Sequence, residues 1–198
     1  MDRLDYVLWP AAAIVALALA GPAVGQGPQA QDGYADCAPR AGGIDAPRLR
    51  RAILAAARPR IGADTFFDDN VVVVAPARLG RGQPDVIAYV AGPRICGSGG
   101  CNAYVFEREG RAGYRPLGTI VPARLPIHVL ETRHGGRQDL GVAVNGGGVR
   151  VGYVGALPFN GRRYAGNPTL SGVRHVARGS GTVLIGLPGQ AEGQCRLR

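Results

Sequence analysis

The chain has 198 residues, 23 of them basic and 14 acidic, for a formal net charge of +9. Every basic residue is arginine, which excludes the Gly-Lys-Ser/Thr loop of a P-loop nucleotidase and the amine of a Schiff-base enzyme. Glycine (32) and proline (15) make up about a quarter of the residues, a level that penalises long helices and argues against a helical bundle.

Residues Tyr6–Ala20 form an apolar run of 15, short of the ~20 that span a bilayer. Small residues follow it, suited to cleavage after Ala20 or Gly25. The segment 1–25 is therefore expected to be a cleaved signal peptide, with an uncleaved inner-membrane anchor as the alternative. The mature protein is expected in the periplasm or outside the cell, with no stable membrane insertion.

Cysteine usage agrees with export. Of the three ways to pair Cys37, Cys96, Cys101 and Cys195, one is favoured. Cys96 and Cys101 enclose only Gly-Ser-Gly-Gly, which turns readily, and this leaves Cys37 for Cys195. The longer bridge would restrict the unfolded chain by roughly 5 kcal/mol in the loop-entropy model. A four-cysteine zinc site, the competing account, wants tighter pairs than these.

Residues 26–44 read as an irregular arm, and 45–198 as a single β-rich domain opened by a helix at about 46–58. Asp45 is a suitable N-cap and Pro47 suits the first turn. Leu49, Ile53, Ala56 and Ala57 recur at helical spacing, and Pro59 ends the pattern. Arg48, Arg50, Arg51, Arg58 and Arg60 decorate this segment. A solvated face is the plainer account of them, and an anion-binding helix through Arg48, Arg51 and Arg58 the sharper one.

From residue 70 the chain becomes a succession of short β-like runs between Gly/Pro turns. They are Val71–Ala75, Asp85–Ala91, Ala103–Glu107, Tyr114–Ile120, Ile127–Glu131, Leu140–Val144, Val149–Ala156, Arg163–Tyr164 and Thr182–Leu187. This spacing predicts a mainly β fold, an antiparallel meander or partial propeller-like sheet with one N-terminal helix. A faint repeat runs through it. Gln83-Pro84-Asp85-Val86-Ile87-Ala88 and Arg137-Gln138-Asp139-Leu140-Gly141-Val142 share a turn, an aspartate and alternating aliphatics. The length does not accommodate a complete propeller.

These pieces, with Cys96-Gly97-Ser98-Gly99-Gly100-Cys101, Tyr114-Arg115-Pro116-Leu117-Gly118 and Tyr164-Ala165-Gly166-Asn167-Pro168-Thr169, make the chain resemble a group of secreted proteobacterial proteins of unassigned function. Those proteins carry a degenerate FG-GAP-like unit and a Cys-Gly-x-Gly-Gly-Cys loop. The resemblance implies a fold and a compartment and no activity. Calcium-binding FG-GAP units place several oxygen ligands before the strand aspartate, but the turn here offers Arg78, Arg81 and a single carboxylate. Asp85 and Asp139 are expected to accept backbone N–H groups in their turns.

Catalytic patterns are weak. Ser98 lacks the preceding glycine of a nucleophile elbow, since Cys96 holds that position. His128 reads as a satisfied sheet histidine and His134 as an exposed turn residue. Asp64, Asp68, Asp69 and Asn70 miss the spacing of a calcium loop. No catalytic residue, metal or cofactor is expected. The reading is an exported, non-catalytic binding module whose candidate contacts are Ser98, Arg48, Arg51 and Arg58. Its partner would be another protein or an anionic envelope component, not nucleic acid. The alternatives are an envelope hydrolase using Asp64 or Asp69 with Asp85, and a lysozyme-inhibitor-like protein. A charge of +10 after removal of 1–25 opposes the latter, because a basic lysozyme would be repelled.

Overall fold

The computed structural model describes residues 33–38, 43–58, 63–110, 113–146 and 148–198. The expected leader, most of the expected arm, Pro59, Arg60 and Gly147 lie outside the described residues.

Asp45 caps the first helix as its sequence suggests: its Oδ1 accepts from the Arg48 N–H at 3.0 Å. Helix α1 (Ala46–Ala57) buries Leu49 and Ile53, and Arg58 closes it in the left-handed region with its N–H on the Leu54 carbonyl. A single turn, α2 (Phe66–Asp69), was not foreshadowed by any periodicity and buries Phe66 and Phe67.

Strands β1 (Val71–Ala77), β2 (Asp85–Ala91), β3 (Cys101–Arg108) and β4 (Tyr114–Ala123) form one antiparallel meander. Strands β5 (Ile127–His134), β6 (Arg137–Gly146), β7 (Val149–Leu157) and β8 (Arg174–Val176) form a second. The C-terminal tail then gives β9 (Thr182–Ile185) to the edge of β5 and β10 (Cys195–Arg196) to the edge of β1. The fold is mainly β as expected, with two five-stranded sheets where the sequence left the number open. Residues 163–164 make no strand; Tyr164 forms an isolated bridge with Phe159.

Alternation decides the layering. Val73, Ala75, Ile87, Ala103, Val105 and Leu117 of the first sheet pack with Ile127, Leu140, Val142 and Ile185 of the second. On the opposite face of the first sheet, Val72, Val74, Val86, Val90, Tyr104 and Phe106 pack with Leu49 and Ile53 of α1. The first sheet is thus covered on both sides, which is why β1 begins with an unbroken run of four valines. The internal repeat has a topological counterpart: Asp85 and Asp139 both belong to the second strand of a meander.

Both expected disulfides are present, Cys37–Cys195 and Cys96–Cys101. Around the first, Cys37 N–H donates to the Arg196 carbonyl at 2.8 Å and Arg196 N–H to Ala35 at 2.7 Å. Loop lengths predict unequal contributions. Replacing Cys37 and Cys195 with serine should lower the unfolding free energy by up to about 5 kcal/mol, and replacing Cys96 and Cys101 by about 2, in urea titrations of the oxidised protein.

Candidate functional site

The repeat aspartates lie at the heart of the polar structure. Asp85 is 2% exposed and receives the Arg137 guanidinium, which also pairs with Glu107. Glu107 and Glu109 in turn share Arg115, whose Nε lies 2.6 Å from Glu109 Oε1. Burial outweighs the attraction of Arg137 and lifts the Asp85 carboxyl above its ordinary range. Asp139 is also buried; it accepts from Thr132 Oγ1 at 2.7 Å and meets His134 Nδ1 at 2.8 Å, with Arg174 at 3.8 Å. The expectation of backbone N–H partners for these two carboxylates is corrected. Strand residues commit their amides to ladders, and a carboxylate this deep needs side-chain donors or a countercharge.

These pairings shape one end of the sandwich. Gly135 and Gly136 make the two-residue turn between β5 and β6, both at positive φ, 55° and 88°. A Cβ at Gly135 would stand 2.5 Å from the Gly161 nitrogen, so glycine is what lets the neighbouring Asn160–Arg163 turn lie against the hairpin. Asn160 Oδ1 accepts from the Arg162 and Arg163 N–H groups at 3.0 and 2.8 Å, and the Tyr164 hydroxyl donates to the Gln138 carbonyl at 2.9 Å. Beside the hairpin, Arg81, Arg133 and Arg137 line a cavity of about 380 Å³ with Gly80, Gly135 and Gly136. Arg133 Nη2 is held there by the Gly136 carbonyl at 3.1 Å.

Two arginines, Arg81 and Arg133, therefore line the cavity without Arg137's partners, and Arg162 and Arg163 sit on the turn packed against the same hairpin. Among the described residues none of the four makes an ion pair. The nearby acids, Asp85, Glu107 and Asp139, are engaged by Arg137, Arg115, His134 and Thr132. Guanidinium groups of this kind hold phosphate, sulfate or carboxylate oxygens with paired N–H donors. Linear inspection finds only the Arg48–Arg60 cluster, because the strands bring this second one together.

The sequence-designated contacts do not form one site. Ser98 is exposed on the Cys96–Cys101 loop, where Arg124 Nε donates to the Gly99 carbonyl at 3.0 Å and Arg124 also reaches the Ser98 carbonyl. The start of α1 lies at the other end of β4, where the Tyr114 hydroxyl accepts from the Asp45 N–H at 2.9 Å. The ten residues of β4 set these ends roughly 30 Å apart. Arg48, Arg51 and Arg58 are exposed along α1 and its C-cap, and Arg48 is 3.3 Å from Asp45. Arg50 stacks over Phe67 at 3.9 Å and serves packing.

One carboxylate pairing expected for a hydrolase, Asp69 with Asp85, is set apart by the strand order. Asp69 precedes β1 and is met by Thr65 Oγ1 at 2.7 Å and Arg94 at 3.4 Å. Asp85 pairs with Ala77 at the far end of β1. Seven strand residues separate them by roughly 23 Å, beyond the ~5–10 Å of a glycosidase pair. Among the described residues no three His, Cys, Asp or Glu side chains are grouped to hold a metal ion.

His128 differs from its reading as a satisfied histidine. It is 2% exposed, and its ring bonds the Ser180 backbone while Nδ1 has no partner. Burial lowers its pKa. A base with a depressed folded pKa contributes stability above its unfolded pKa of about 6.5 and loses it as the pH falls toward the folded value. His128→Phe should therefore lose less stability than wild type between about pH 7 and pH 5, as read from thermal unfolding midpoints. The Asp85 clamp gives a second expectation. Asp85→Ala leaves Arg137 with Glu107 alone and should cost about 3 kcal/mol in urea unfolding.

No protein-family model, curated protein or solved structure matches the chain.

Proposed function

We propose that the protein is an exported, non-catalytic binding module that holds an anionic component of the cell envelope at the hairpin end of its sandwich. The observation that carries this reading is Arg81 and Arg133 lining the cavity, with Arg162 and Arg163 on the turn beside it, cations without carboxylate partners among the described residues while the nearby acids are already engaged. Export is supported by the four cysteines, all spent in disulfides that persist in oxidising compartments, and by the apolar leader-like run of the sequence. No described helix is long and apolar enough to cross a membrane. The exposed arginines of α1 offer a second, separate cationic face.

The test is retention on immobilised heparin, a soluble stand-in for an anionic polymer, across a salt gradient. Replacing Arg81, Arg133 and Arg163 with alanine should weaken binding about tenfold, at ~0.5 kcal/mol for each exposed contact. The Arg48→Ala, Arg51→Ala, Arg58→Ala variant should change it less. Equal losses from the two triple variants would mean that net charge, and no particular end of the fold, governs retention. Absence of salt-sensitive retention in the wild type would remove the proposal.

A further inference from the structure

The outward face of the second sheet carries a separate cavity of about 670 Å³, a size ordinary for small-molecule sites. Its walls include Pro126, Ala143, Val154 and Val183, with His128, Asn145, Tyr153 and Gln190 as polar lining, and Arg178 is the only ionised side chain among the lining residues. No carboxylate of the described residues lines it. Arg178 is exposed, and its Nε donates to the Gly152 carbonyl at 3.1 Å. The guanidinium lies so close to this strand that a Cβ at Gly152 would come within 2.6 Å of Nη2. The residue is thus held against β7 by its Nε.

The chemistry of this lining is selective. A cation would find no counter-charge among these residues, while the aliphatic wall beside one arginine favours an amphiphilic anion. An apolar chain ending in one negative group satisfies both features, because its body covers the valines and its head meets a pinned arginine. His128 supports this assignment: burial disfavours its charged form, so it adds a neutral surface to the lining.

We propose that this cavity binds the anion of a medium-chain free fatty acid, with the carboxylate on Arg178 and the chain against Ala143, Val154 and Val183. The site shares no residue with the arginine end, so the two readings stand or fall separately.

Isothermal titration of the full oxidised protein with decanoate, below its micellar concentration, tests the assignment, with decanol as the uncharged control. The expected result is saturable one-to-one binding of decanoate. Arg178→Gln should weaken decanoate by at least about tenfold and leave decanol unchanged. Ala143→Phe, which fills the cavity, should abolish both, and Val183→Phe provides an independent filling variant should the first fail to fold. Heparin retention should be unaltered in either filled variant. No saturable heat with decanoate would overturn the site, as would unchanged binding in folded filled variants. An unchanged decanoate affinity in Arg178→Gln would overturn the placement of the carboxylate.

Discussion

A carboxylate buried at the seam between two sheets has to be answered by a cation, and Asp85 is answered by Arg137. The pair joins β2 of the first meander to β6 of the second, so it fastens one sheet to the other at a fixed place. The apolar interior would tolerate some sliding of one sheet over the other; a charge left without its partner in that interior would not. Glu107 and Arg115 extend the contact to β3 and β4, so four strands from both sheets meet in one ionic run. Arg137 is spent inside the fold, and so are the acids around it. What remains for solvent at that end is positive because the seam has consumed the negative charge.

Much of the architecture was legible in the residues because local rules and burial agree there. The Asp45 cap, the Leu49/Ile53 stripe and the valine run of β1 each point to the element that forms. The disulfide pairing followed from the short Gly-Ser-Gly-Gly loop. The missed elements are those too short to carry a period. The turn of α2, the three residues of β8 and the two of β10 are defined by what they dock against. Neither the number of sheets nor the way they stack could be read from strand spacing, since a meander and its continuation look alike in one dimension.

The candidate sites were less legible for a related reason. Arg48, Arg51 and Arg58 stand close in sequence along α1 and its C-cap, whereas Arg81, Arg133, Arg162 and Arg163 are joined only by the packing of two connections against the end of β5. Asp85 and Asp139 drew notice as a repeat, yet their partners lie on other strands. Local turn chemistry was the wrong frame for groups so deeply buried. His128 shows the same limit. A histidine among aliphatics reads as core, and the sequence does not say that one ring nitrogen is left without a partner.

The tail that supplies β9 and β10 ends in a covalent link to the first described segment, with the Cα atoms of Cys37 and Cys195 4.8 Å apart. The domain is in effect a ring, closed by sulfur in place of a peptide bond. Exposed arginines in surface turns, such as Arg81, Arg162 and Arg163, invite cutting by proteases that cleave after basic residues. A single cut anywhere between the two cysteines would open the ring without releasing a piece. Both fragments would stay tied across the first sheet, with their strands still paired, so the molecule can be nicked at the turns that bear its charge and keep its two sheets together.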